Sequence, residues 1–257
     1  MAWSAETRAI LEELIGTLAP QNQAKVRGIP FQYDPNPFEI NAFAGCKHGN
    51  AFMASTEGLS QAVDAIAQTR ATDEMFGTQT YQAYVQQVVP RLVRDDKASA
   101  ALPPGIIPPQ HVANPQRLSR AREIWQEIIA FTMAHELAHH YLGHTGCANA
   151  QAPGQAGLAT LGHVVTSVVP GLNQPNEVAS DNFGVVNVLD TGARRRPQYR
   201  WTEQGGLMLL DFFGQLERAA GVSPLHPVGF LRSHPNPAIR TPLVQTVART
   251  WYSRSGG

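Results

Sequence analysis

From Phe131 to His144 the sequence reads FTMAHELAHHYLGH, with four histidines and one glutamate in fourteen positions of an otherwise apolar stretch. Imidazoles at this density fit three chemistries: a metal site, a polar helix face, or a pH-sensitive surface. The string His135-Glu136-Leu137-Ala138-His139 has the pattern HExxH. Residues four apart share one face of a helix, so both imidazoles can reach a single ion. Glu136, beside His135, is then placed to take a proton from water that the ion activates. Three fixed positions also coincide by chance, so the motif alone leaves the metal and the bare helix both open. His140 points away from the shared face, and His144 lies beyond Gly143. Both read as rim or supporting histidines rather than ligands. A pH sensor could use such a cluster but has no need of a glutamate locked next to the first histidine.

A zinc enzyme takes a third ligand from the protein and leaves the fourth position to water. Thirty-eight residues beyond His139 the chain reads PNEVASDNFGVV, with Glu177 and Asp181 four apart and Asn176 as a candidate cap. One carboxylate could bind the ion while the other accepts the free N–H of a ligand histidine. Such a pair can also just face solvent, where its like charges mildly destabilise a helix; a cation beside it explains the spacing better. Near the end of the chain, SHPNPAIR holds His234 in a proline-stiffened loop with Arg240 six residues on. His226, also followed by proline, has the same local composition and is read as a decoy. Zinc is the ion inferred from these imidazole and carboxylate donors.

The elements that must position these groups are mostly helical. An amphipathic N-terminal helix carries Ile10, Leu11, Leu14 and Leu18 on one side. A proline-rich entry follows, and residues 40–56 form two extended runs broken by Gly45 to Gly49, a hairpin by composition. Helical patterning returns from Leu59 to Ile66 and again at Tyr81, Tyr84, Val85, Val88 and Leu92, the last five read as core. The run LPPGIIPPQHVANP is a loop, and Asn114-Pro115 caps and starts a helix ended by Gly143. About 28 residues at 1.5 Å each make it ~42 Å long, with Leu118, Ile124, Trp125, Ile128, Ile129, Met133, Leu137 and Leu142 at helical spacing. Further helices are predicted over 176–190, 202–220 with Gly221 as stop, and 236–250. The fold class is mainly α with a small β-sheet (α+β). One domain spans 1–257, with residues 1–37 as the helix and entry and 38–250 as the core.

Composition narrows the class. Apolar residues make up 43% and charged ones 16%, and 20 basic residues balance 20 acidic ones. That is a folded chain without an electrostatic footprint for nucleic acid or anionic lipid. The run Arg194-Arg195-Arg196 reads as a solvated helix end. Glu6, Glu12 and Glu13 interrupt any secretory signal, and the apolar segment 156–172 carries His163 and Pro170 and is too short to span a membrane. No integral membrane segment is evident, which makes a cytoplasmic location the simplest expectation. Cys46 and Cys147 allow either two free thiols or one pair.

Taken in order, the three motifs resemble the gluzincin peptidases, the zinc metallopeptidase family that includes the CAAX prenyl endopeptidase and the heat-shock protease HtpX. That family shows HExxH, then ExxxD on a helix, then a histidine-proline turn with arginine six residues on. The segment Asn41-Ala42-Phe43-Ala44 is similar to the start of its upstream strand pair, so the likeness covers roughly residues 38–250. The resemblance implies a zincin-like metallopeptidase domain with one zinc ion held by His135, His139 and Glu177. It makes Glu136 the general base and Asp181 the partner of a ligand histidine. His234 would approach the metal or the developing oxyanion, and Arg240 would anchor its turn. The strand Ala51, Phe52, Met53, Ala54 and Ser55 would be the edge along which a substrate peptide lies. Many relatives carry membrane helices and a Pro-Gly-Gly type turn after the first strand. This chain has neither, and in the turn it carries Gly45-Cys46-Lys47-His48-Gly49. Cys46 and His48 read as turn residues rather than an inhibitory cap.

The expected function is a zinc-dependent endopeptidase acting on protein or peptide substrates, with Glu136 assisting attack by water at the metal. One alternative is a latent or non-catalytic zinc protein with the same site, the uncharged 148–176 stretch serving as lid or plug. Another is a helical interaction module with no metal.

Overall fold

The computed structural model describes residues 2–147, 174–220, 234 and 237–255. In chain order these form α1 (Ala2–Thr17), α2 (Pro20–Val26), β1 (Phe31–Asp34), β2 (Ala42–Lys47), β3 (Asn50–Thr56), α3 (Glu57–Phe76), α4 (Thr80–Arg94), α5 (Pro109–Val112) and α6 (Pro115–Tyr141). After them come α7 (Gln174–Arg194), a single 3-10 turn at residues 197–199, α8 (Gln204–Ala220) and α9 (Pro237–Ser255). The protein is mainly helical with one small mixed sheet.

Helix α6 is the axis of the fold. The Asn114 side chain accepts a hydrogen bond from the Arg117 amide at 3.0 Å and Pro115 opens the first turn, as the sequence predicts. The helix then packs against α7, α3, α8 and α1. From Glu127 to Tyr141 every residue is buried, the histidines and Glu136 included. Leu118, counted in the apolar stripe, is exposed instead, because it lies off the face on which its neighbours Arg117, Ala121 and Ile124 are buried. The predicted core positions on α4 are all buried. Helix α7 starts before Asn176, which therefore lies inside the helix and is not its cap, and runs four residues further than predicted.

The sheet order is β1-β3-β2. Strands β2 and β3 form the predicted antiparallel hairpin, with Ala42 opposite Ser55 and Lys47 opposite Asn50. Its turn sits at His48 and Gly49, both with positive φ (51° and 77°), as a tight two-residue hairpin requires. Strand β1 pairs in parallel with the other side of β3, Phe31 to Asp34 against Met53 to Thr56. This corrects one expectation: Ala51, Phe52, Met53, Ala54 and Ser55 lie on the central strand, paired with β2 throughout and with β1 from Met53 onward. Four residues set between Pro30 and Pro35 are too short a run to show strand alternation, so β1 was not read from the sequence, and without it β3 looked like an edge. The outer strands are β1 and β2.

Cys46 on β2 and Cys147 just beyond α6 form a disulfide with Cα atoms 5.6 Å apart. Among the described residues no helix is long and apolar enough to cross a membrane. The apolar segment 156–172 with His163, most of the 148–176 cover, Gly221 and His226 lie outside the described residues.

Candidate metal centre

Helices α6 and α7 cross closely because Gly184 presents no side chain to α6; a Cβ there would stand 3.1 Å from the His135 amide nitrogen. That approach brings Glu177 and Asp181 over the HExxH face. His135, His139, Glu177 and His234 converge so that one ligand atom from each lies within 4.8 Å of all the others, and all four are buried. His135 Nε2 stands 3.0 Å from His139 Nε2, 3.2 Å from His234 Nδ1 and 3.4 Å from Glu177 Oε2. Glu177 Oε1 is 3.2 Å from His139 Nε2, and Oε2 is 2.6 Å from His234 Nδ1.

Donors 2.0–2.1 Å from a tetrahedral ion are separated from each other by about 3.3 Å. Several of the observed spacings lie near that value and all of the set lie within 4.8 Å, close enough for the four residues to serve one ion. Charge points the same way. Among the described residues, three buried carboxylates, Glu136, Glu177 and Asp181, surround a single buried guanidinium, Arg240. The excess of two negative charges is what a divalent ion neutralises. This buried cluster could hold a metal ion.

The supports of the ligands are equally ordered. His135 Nδ1 donates to Asp181 Oδ1 at 2.8 Å. Arg240 forks onto the same carboxylate, Nε to Oδ2 at 2.6 Å and Nη2 to Oδ1 at 2.7 Å. Its Nη1 donates to the His234 carbonyl at 3.1 Å, which pins the turn that carries that ring. Burial alone would raise the Asp181 pKa, but the Arg240 charge and the hydrogen bonds of Arg240 and His135 hold it down at about 2. Burial likewise opposes ionisation of Glu177, yet the His234 charge and the three surrounding imidazoles keep its carboxyl well below the usual range. For His135, burial pulls the pKa down, and the bonds and charges of Asp181 and Glu177 outweigh it, lifting it to about 10. Burial and the neighbouring His135 charge depress His139, against the opposing bond to Glu177. Without an ion, the proton that the raised pKa keeps on His135 offsets part of the carboxylate charge, and a metal displaces it on binding.

Glu136 differs from all of these. Among the described residues neither of its buried oxygens accepts a hydrogen bond, and Oε1 stands 3.5 Å from His234 Nε2. That same Nε2 lies 3.3 Å from the Ala42 carbonyl, so the start of β2 borders the cluster. His140 is indeed turned away: Nε2 donates to the Phe52 carbonyl at 3.0 Å, tying α6 to the sheet. His144 takes the supporting place rather than the rim, with Nδ1 3.2 Å from both His139 Nδ1 and Ser180 Oγ. Helical spacing paired His135 with His139 and Glu177 with Asp181, the resemblance added His234 and Arg240, and the structure places all six in one cluster. Sequence reasoning missed Ala42, Ser180 and the contact of His144, which depend on a backbone carbonyl and on a chain reversal that residue type does not reveal. No protein-family model, no curated protein and no solved structure matches this chain.

Proposed function

We propose that the protein is a zinc-dependent endopeptidase of zincin-like architecture, acting on protein or peptide substrates as the gluzincin motifs it resembles would have it act. One observation carries the reading: the buried Glu136 carboxylate, without a hydrogen-bond donor among the described residues, beside four convergent ligand atoms. Leaving a buried polar group unsatisfied costs about 1–3 kcal/mol, and more when it is charged. A purely structural ion site gains nothing from that group. A hydrolase requires it as a base.

Bound zinc supplies Lewis acidity, polarising the scissile carbonyl and making water nucleophilic near neutral pH. The chain does the rest. His135, His139 and Glu177 hold the ion, and Asp181 fixes the His135 ring while Arg240 keeps Asp181 ionised. Glu136 takes the proton of the attacking water and returns it to the departing amine nitrogen. The substrate backbone pairs with the outer side of β2, whose Ala42 carbonyl borders the site, rather than with β3. The Cys46–Cys147 bond is of the kind that persists in oxidising compartments, so the proposed setting is such a compartment and not the cytoplasm.

The placement of His234 favours a second reading. Its Nδ1 stands among the ligand atoms, and four protein donors fill a tetrahedron that a catalytic site leaves open at one corner. In this reading the protein is a latent or regulatory zinc protein until His234 moves away. Turnover of a quenched-peptide library, with and without chelator, tests both. Chelator-sensitive cleavage by the wild type, lost ~10²–10⁴-fold in Glu136→Gln with zinc still bound, supports the enzyme. Full activity in that variant discards the base. His234→Ala raises turnover if the ring is a latch and lowers it if Nε2 holds the oxyanion. One bound zinc with no turnover in either protein leaves the non-catalytic reading.

A further inference from the structure

We infer that His144 is the positioning residue of His139, holding that ring in the orientation and tautomer that turn Nε2 toward the ion. The inference rests on the metal-centre reading and extends it to a residue outside the ligand set. His139 Nε2 faces His135 and Glu177, so Nε2 is its ligand atom. A neutral imidazole bound through Nε2 keeps its proton on Nδ1 and must donate it. Among the described residues the partner of His139 Nδ1 is His144 Nδ1, at 3.2 Å with the rings inclined at 72°. His144 Nδ1 is then the acceptor, and its own proton belongs on Nε2.

The local chain is built to place that ring. Gly143 takes φ +84°, a left-handed value that reverses the chain just past α6. The His144 amide then donates back to the His139 carbonyl at 2.9 Å. Ser180 Oγ on α7 lies 3.2 Å from His144 Nδ1. Asp181 on α7 touches His135 directly, whereas its neighbour Ser180 touches His144, where its hydroxyl shares the Nδ1 acceptor with His139. The two rings have unlike supports, a carboxylate behind one and a neutral imidazole behind the other.

Zinc titrations against a chromophoric chelator test the assignment in the wild type, His144→Ala and His144→Asn, with melting temperatures of the metal-free proteins taken alongside. Loss of the partner of a ligand histidine typically weakens binding 10–100-fold. His144→Ala should lose affinity by about that factor with its metal-free melting temperature unchanged. His144→Asn, whose Oδ1 takes the place of Nδ1 as acceptor, should recover most of it. Long-range ¹H–¹⁵N spectra of the zinc-loaded wild type should show His144 protonated on Nε2, a readout that needs no variant. Wild-type affinity in His144→Ala, or a His144 proton on Nδ1, overturns the assignment. A wild type that takes up no cation instead removes the centre itself, an outcome distinct from either.

Discussion

Arg240 is 1% exposed, yet it carries a full charge six residues beyond His234. What makes that tolerable is the two-pronged contact with Asp181, and what makes it useful is the third bond to the His234 carbonyl. One guanidinium thus holds a support of His135 and the turn that carries His234. Removing one partner of a buried ion pair costs about 3–5 kcal/mol, because the other charge stays behind. Arg240→Ala should lose stability in that range in urea unfolding. Arg240→Lys, which keeps the charge but cannot fork, should fall between it and the wild type. Equal stability of all three would show that Asp181 does not depend on the guanidinium. At this scale the sequence was informative where chemistry follows from helical spacing: His135 with His139, and Glu177 with Asp181. It read His144 only as a rim or supporting histidine and did not show which ring it supports, because its position depends on the reversal at Gly143 and not on any helix face.

Helices α6 and α7 owe their separation to one missing side chain. An alanine at 184 would bring a Cβ to 3.1–3.3 Å from the backbone of Ala134 and His135, atoms that cannot rotate aside. Overpacking of this kind costs about 1–3 kcal/mol. Its larger consequence is to push Glu177 and Asp181 off the HExxH face. Gly184→Ala should therefore weaken zinc binding as well as lower the melting temperature. Unchanged zinc affinity in a destabilised variant would mean that the ion, and not the helix contact, sets the spacing. The helices themselves were readable because long periodic runs and the Asn114-Pro115 start leave little choice. Strand β1 was not, since a parallel partner from a distant segment leaves no local mark, and its omission turned a central strand into an apparent edge.

Across the whole molecule, the disulfide joins the sheet to the far end of the longest helix over a sequence separation of 101 residues. Closing a loop of roughly that length in the unfolded chain is worth ~4.7 kcal/mol in the chain-entropy model, and measured values commonly run about 2–4. Cys46→Ser should reduce unfolding free energy by a few kcal/mol in denaturant titration, and wild type with a thiol reductant should reproduce the loss. A variant as stable as the wild type in both conditions would show that non-covalent packing alone holds the hairpin against α6. Two cysteines in the sequence left their pairing open; only the folded hairpin brings them to one place.

The same bond has a practical result for anyone following the integrity of this protein. A protease, or the protein acting on itself, that cuts once anywhere between Cys46 and Cys147 severs the backbone without releasing a fragment. Such a nicked chain migrates as intact on a gel run without reductant and splits into two bands only when reductant is added. Clipping within the loop around residues 95–108 would therefore pass unnoticed unless samples are run both ways.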